Sequence, residues 1–538
     1  MADEEYLNKK YLIVDDFSDV RSAIRSILRS LEVTQVDQAR DGNDAIAQMT
    51  SRRYDVVLCD YNLGPGKDGQ QVLEEARHNL LLGVDSIFIM ITAENTRDMV
   101  MSAVEYAPDS YLSKPFTKDI LKRRLDKLFE RKADLRKVNK ALMAKDYSAA
   151  IAELDDLIAR NPKNLPDLLK LKSEVCLTAT RYDDAIVIFE QVLAEHETSW
   201  ARWGMGKALY WKRNHAQAME MFKQLIVNDP NFVAAYDWLA KTQAELKQFE
   251  EAEQTLHAAV KISPRALKRQ QQLGDLALSN GHPEQAETAF TKAVTLAKHS
   301  VLNHPSLFAG LARSKSSNSK HIEALKIIGE ITKVFPGQPE AVFYKATATA
   351  AVKQNQGDTA AAADAMQNAE KAIAQCGETT RSKLGLEMAK TYVQIGEQEK
   401  ATLLLQHAIA NNHDDEEFLM ELVQVCREAN FEYDAETAIR EIQQRVVKTN
   451  NTGVYLIKQG KFDEAIKLLN EAAEEMPGNK TINLNAAKAM IIRMEKQGAS
   501  MDDILTVRRY VDRVQALALQ DWRLHEVTSR LKNMTPTN

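Results

Sequence analysis

The sequence predicts an open parallel α/β sheet at the N-terminus, followed by an all-α array of helical repeats. Three observations predict it. Four apolar runs in the first fifth of the chain, YLIVD, DVVLCD, SIFIMIT and SYLSK, read as buried strands. Each leads into a polar residue: the pair Asp15-Asp16, then Asp60, Thr92 and Lys114. Beyond Lys140 a triplet of one small and two bulky residues recurs about every 34 residues.

Strands covered on both faces read as near-continuous apolar runs rather than as alternation, and parallel strands need helical crossovers. Ligand sites in such sheets form beyond the carboxyl ends of the strands. The four strand ends therefore bring three carboxylates, a hydroxyl and an ammonium to one edge. Clustered carboxylates repel one another, and a hard divalent cation such as Mg2+ is their natural partner. One carboxylate can then attack a phosphoryl group, with the lysine as a point charge on its oxygens and the threonine as a hydrogen-bond donor. Taken singly, each residue has a plainer role: an Asp-Asp pair after a strand is more often a helix cap. Their joint arrangement at four strand ends favours the site. Cys59, beside Asp60, reads as a small buried strand residue.

The stretches VDDFSDVR, ARDGNDA, LCDYN, KDGQQVL, ITAEN and SYLSKPFT resemble the CheY-like receiver domain of two-component response regulators, over residues 10–130. The resemblance implies a doubly wound five-stranded parallel sheet. It implies Asp15 and Asp16 as the metal-binding acidic pair, Asp60 as phosphoacceptor and metal ligand, and the backbone carbonyl of Asn62 on the metal. Thr92, Lys114 and Tyr111 would form the switch, and the bond to Pro115 would be cis. Asn62 and Glu94 match positions that tune hydrolysis of the phosphoryl group. Two stretches depart from the family. The loop from Asp60 to Asp68-Gly69 is one residue longer than in the single-domain chemotaxis regulators and reads LGPGKDG. Ala107-Pro108 stands where Gly-Ala is common. Neither removes a reacting group.

In the array the triplets are led by Ala150, Ala185, Ala218, Ala252, Ala286 and Ala324, then less regularly by Ala365, Ala401, Ala435 and Ala465. Pro162, Pro230, Pro264 and Pro336 close several units. A period near 34 with helix–turn–helix content resembles the tetratricopeptide (TPR) repeat, which implies a superhelical solenoid that binds other chains. About ten units are expected over 141–480, with capping helices over 481–538 and an enlarged turn at 354–359. Gly206 and Gly274 fall where paired helices approach closely. Trp200, Trp203, Lys207 and Tyr210 recur at helical spacing on positions that face inward in the family. They form a candidate peptide groove, though aromatics there also pack against adjacent repeats. The positions of a TPR carboxylate clamp hold Lys170, Trp203, Asp237 and Gln271 instead.

Residues 1–9 read as a polar tail, and 131–140 as a helical junction. From Phe116 to Asn161 there is neither Gly nor Pro, so the last receiver helix is expected to run almost directly into the array, broken near Lys132. Residues 118–140 carry ten basic and four acidic side chains, a pattern that fits a solvated helix. At 538 residues the chain exceeds one core. A net charge of −6 gives no general attraction to nucleic acid, and direct DNA binding is not expected. Four widely spaced cysteines read as reduced thiols. The polar start and the lack of a long apolar run point to a cytoplasmic protein without membrane insertion.

The expectation is a response regulator that is not an enzyme beyond its own phosphorylation and dephosphorylation. Its partners would be a histidine kinase or phosphotransfer protein and a protein or peptide ligand of the array, with homodimerisation open. The alternatives are a phosphate sink or kinase inhibitor tethered by the array, and a constitutive scaffold.

Overall fold

A computed structural model describes residues 8–93, 108–160, 164–428, 433–517 and 522–534, together with Tyr6 and Phe431. Pro162, Glu94 and Ala107 lie outside the described residues, as does most of the 1–9 tail. The chain divides into two compact units, residues 1–307 and 308–538.

Unit one opens with five strands: β1 (Lys10–Val14), β2 (Gln35–Ala39), β3 (Val56–Asp60), β4 (Ile87–Thr92) and β5 (Ser110–Ser113). They form one all-parallel sheet in the order β2-β1-β3-β4-β5. Among the described residues, four helices accompany them: α1 (Ser18–Ser30), α2 (Gly42–Ser51), α3 (Gly69–His78) and α4 (Lys118–Asp134). The period-2 alternation of side chains sorts each strand between two cores. Tyr11, Ile13, Val56, Leu58, Ile89 and Ile91 pack with Leu28 of α1 and with Leu121 and Leu125 of α4. Leu12, Val14, Val57, Cys59, Phe88 and Met90 pack with Met49 of α2 and with Val72 and Leu73 of α3. A sheet covered on both faces leaves its carboxyl edge as the place for a site.

The junction is shorter than a turn. Leu135 alone (φ −87°, ψ 4°) separates α4 from the helix Arg136–Met143. The expected break at Lys132 therefore falls three residues later. Lys132 instead fastens α4 to the receiver, donating to the carbonyl of Val84 at 2.9 Å and pairing with Asp109 at 3.1 Å. Val138, on the next helix, is fully buried with Ala150, Leu154 and Phe189 in the first array core.

Antiparallel helix pairs then repeat through both units, and all ten leading alanines are buried. Small residues there let paired helices close on bulky rings. A Cβ on Gly206 would lie 2.6 Å from the Phe222 ring, and one on Gly274 2.7 Å from Phe290. Both rings are buried and have little room to yield, so Gly206→Ala and Gly274→Ala should each destabilise the array by about 1–3 kcal/mol. Gly329→Ala, with open space around its site, should instead stabilise its helix by up to about 1 kcal/mol. Thermal unfolding of the three variants checks the contrast.

Two features of unit two differ from expectation. The 354–359 stretch is not an enlarged turn: only residues 356–358 separate the helices Pro339–Asn355 and Thr359–Ile373. The extra length between Ala324 and Ala365 is taken up in the first of these, which runs for 17 residues. Gly357 (φ 79°) supplies the left-handed turn, and Asp358 caps the following helix through the amide of Ala361 at 3.1 Å. Further on, Ala435–Lys458 is one helix of 24 residues, so the triplet led by Ala435 shares a helix with the start of the next unit. Nothing in that stretch breaks it, since Gly453 packs tightly against Leu469 and there is no proline. The helices Lys480–Gln497, Met501–Leu517 and Trp522–Met534 close the same core.

Candidate functional site

Parallel register places the candidate site residues side by side. Val14 pairs with Cys59, so Asp15 and Asp60 follow on neighbouring strands; Thr92 pairs with Ser113, so Lys114 follows beside Thr92. The amide of Lys114 donates to the carbonyl of Thr92 at 2.7 Å, which holds the strand end in place. The Lys114–Pro115 bond is cis, as the resemblance implies.

Lys114 Nζ bridges two carboxylates, at 2.7 Å from Asp15 Oδ2 and 3.0 Å from Asp60 Oδ1. The Asp15 side chain is 1% exposed, and its other oxygen accepts from the amide of Phe17 at 2.9 Å. Arg21 holds the Asp15 carbonyl at 2.7 Å. One cation thus serves two buried carboxylates, and the more exposed Asp16 adds a third carboxylate beside them. Burial pushes the Asp60 carboxyl above its ordinary pKa; Lys114 opposes the rise, and Asp15 and Asp16 add to it. Burial pulls the Lys114 ammonium down, but its hydrogen bonds to Asp15 and Asp60 outweigh that and hold it above its usual value. The Cys59 thiol is pushed far up by burial and by Asp60, so it stays protonated and unreactive.

Carboxylate oxygens of Asp15, Asp16 and Asp60 all lie within 4.8 Å of one another. Asp16 Oδ1 is buried and has no hydrogen-bond partner among the described residues. An orphaned anionic oxygen beside two more carboxylates is what a hard, oxygen-seeking dication such as Mg2+ satisfies, so the donor set fits that ion. Asn62 follows two residues after Asp60 on an exposed loop, with its side chain turned back to the amide of Gly64. Thr92 is buried at the end of β4. Tyr111 is half-buried in β5, and burial, then the neighbouring Tyr61, raises its hydroxyl pKa.

The response regulator receiver domain family matches residues 11–126. The chemotaxis protein CheY of Pseudomonas aeruginosa is 38% identical over 122 residues, which is 23% of this chain and 97% of that protein. The chain belongs to the response regulator receiver family. CheY-3 of Vibrio cholerae is likewise 38% identical, over 24% of this chain and 98% of its own. Tetratricopeptide repeat families match residues 209–274 and 456–491, and 267–300. Among solved structures, the chemotaxis response regulator CheY4 of Vibrio cholerae is 25% identical with a TM-score of 0.21, covering 22% of this chain and 98% of its own. A tetratricopeptide repeat protein from Parabacteroides merdae is 14% identical with a TM-score of 0.31, covering 48% of this chain and 97% of its own.

The aromatic row is already engaged within the chain. Trp200 meets Phe189 edge-on at 6.2 Å, and Trp203 meets Phe232 at 6.0 Å. Lys207 Nζ sits 4.2 Å over the Trp203 ring, and burial lowers its pKa. Tyr210 is buried against Trp211 and Trp238 and donates to Glu245 at 3.2 Å. Of the four, Trp203 lines a cavity of about 1010 Å³, which it shares with Phe232, Asp237 and Arg269 and with Glu74 and Arg77 of α3. His282, partly exposed, pairs with the buried Glu253 at 2.9 Å. The residue that sequence reasoning missed is Arg265, which reaches Asp68 of the receiver. It follows Pro264 in a short link, and nothing local marks it.

Proposed function

We propose that this chain is a phosphorylation-dependent response regulator whose output is protein binding by its repeat array. The observation that carries the reading is Lys114, held between Asp15 and Asp60, beside an Asp16 oxygen with no partner among the described residues. An oxygen of the Asp60 carboxylate attacks the phosphorus of a phosphohistidine on a histidine kinase or phosphotransfer protein. The P–N bond breaks, its electron pair stays on the imidazole, and the product is an aspartyl phosphate. Asp15, Asp16, Asp60 and the Asn62 carbonyl would hold Mg2+, which would offset charge on the transferred phosphoryl oxygens. Lys114 supplies a fixed cation to the same oxygens, and the Thr92 hydroxyl donates a hydrogen bond to one of them. The Tyr111 ring, beside Tyr61, follows that change. The protein acts catalytically on its own phosphorylation and dephosphorylation alone, and works in the cytoplasm. Among the described residues, no helix is long and apolar enough to cross a membrane.

The test is incubation with Mg2+ and acetyl phosphate, or with beryllofluoride as a stand-in for the bound phosphoryl group, beside Asp60→Asn. Intact-mass measurement should show one phosphoryl group on the wild type and none on the variant. All five tryptophans lie beyond the receiver, four of them in the array, so an Asp60-dependent change in their fluorescence reports passage of the signal out of the receiver. Phosphorylation without such a change would favour the sink; no phosphorylation would overturn the site reading.

A further inference from the structure

The array touches the receiver beside the loop that follows the phosphoacceptor. Arg265 lies between the helices Phe249–Ile262 and Leu267–Ser279, both in unit one. Its Nη2 donates to Asp68 Oδ2 at 2.8 Å, and its guanidinium lies 5.7 Å from the centroid of the Tyr61 ring. Ser300 donates to Glu74, and the carbonyl of Leu296 accepts from Gln71 at 3.4 Å. Glu74 and Gln71 both lie on α3, so this helix is the face that docks on the array.

Asp68 is one residue from backbone wedged against the phosphoacceptor. The amide of Gly69 donates to the carbonyl of Tyr61 at 2.8 Å. A Cβ on Gly69 would stand 2.1 Å from the carbonyl oxygen of Asp60. Asp68 also caps α3, accepting from the amide of Gln71 at 2.9 Å. Between these fixed ends runs a loop with Gly64 at φ 72° and Gly66 at φ 116°. Such a loop has little stiffness of its own, and it carries Asn62.

We propose that Arg265, a residue of the repeat array, is a positioning residue for the receiver's phosphorylation site, and that the array docks on α3 through it. The inference rests on the Asp60 reading. Two effects act in one direction. Fixing Asp68 preorganises the Asn62 loop, so less ordering remains to be done when the site fills. The guanidinium also adds positive charge beside a site that gains negative charge. Reciprocity then requires the filled site to tighten docking.

The experiment uses the full chain with Mg2+ and beryllofluoride, its affinity measured by calorimetry. Arg265→Ala should weaken binding about three- to tenfold, because the Arg265–Asp68 pair is partly exposed and its coupling belongs at the low end of the range. Arg265→Lys should retain most of the affinity. The difference between Arg265→Ala and wild type should shrink as salt rises, which loss of packing alone would not produce. A Glu74→Cys/Ser300→Cys pair should be joined by a short bis-maleimide, and faster with beryllofluoride present. Unchanged or tighter binding by Arg265→Ala, or linking that ignores beryllofluoride, would overturn the proposal. A wild type that binds no beryllofluoride would instead sink the Asp60 reading, and this inference with it.

Discussion

Gly69→Ala is expected to destabilise the receiver by more than about 3 kcal/mol and to abolish beryllofluoride binding at Asp60. The residue is buried at the start of α3, where the new Cβ would sit 2.1 Å from the Asp60 carbonyl oxygen and 3.0 Å from Met90 Sδ. A flexible side chain could turn away from such a contact, but strand backbone cannot. To make room, either α3 must lift off the sheet or the end of β3 must move, and the second displaces Asp60 itself. The cost is steric, because the Gly69 backbone lies outside the left-handed region. Gly66→Ala separates the two kinds of cost: it has φ 116° and open space around it, so it should cost only about 1–2 kcal/mol of conformational strain and leave the sheet intact. Hydrogen exchange in β3 and calorimetry with beryllofluoride are the checks. A Gly69→Ala protein with native protection in β3 and unchanged affinity would refute the steric argument.

What could be read from the sequence follows from how local each signal is. Asp15, Asp60, Thr92 and Lys114 were legible because each ends an apolar run, and parallel sheets gather strand ends at one edge. The leading alanines were legible because close helix packing repeats with the period of the fold. The Trp200–Tyr210 row was only half legible. Helical spacing shows that four side chains share a stripe, but it does not show that Tyr210 turns into a cage of Trp211 and Trp238 while Trp203 lines a cavity. The turn expected at 354–359 failed for a related reason: QNQGDT contains a genuine turn signal at Gly357, whereas helix length is set by packing on neighbours. Arg265 had no signal at all, since its partner lies 197 residues away and the two meet only through tertiary packing.

Lys114→Met and Asp60→Asn should move receiver stability in opposite directions, although both end phosphotransfer. Lys114 is the cation bridging Asp15 and Asp60, whose side chains are 1% and 10% exposed. Removing it leaves two buried carboxylates without that charge, a loss of about 3–5 kcal/mol. Replacing Asp60 with asparagine leaves Lys114 and Asp15 as a matched pair and removes one of three clustered negative charges. A gain on the order of 1 kcal/mol is expected at neutral pH. The pH dependence follows from the raised Asp60 pKa, since the folded state holds that proton more tightly than the unfolded chain does. Stability linked to this proton is fully present below the ordinary value of 3.8 and is lost as pH rises through the higher folded value. The advantage of Asp60→Asn is therefore complete at neutral pH and shrinks on acidification. Mg2+ should narrow the gap from the other side: an ion that binds the folded acidic cluster stabilises the wild type and part of the Lys114→Met loss, but does less for Asp60→Asn. Urea unfolding of the receiver transition, run at neutral and acid pH with and without Mg2+, measures all four quantities. If both variants were destabilised alike, or the Asp60→Asn gain grew on acidification, the Asp15–Lys114–Asp60 bridge would not be the charge balance that governs this site.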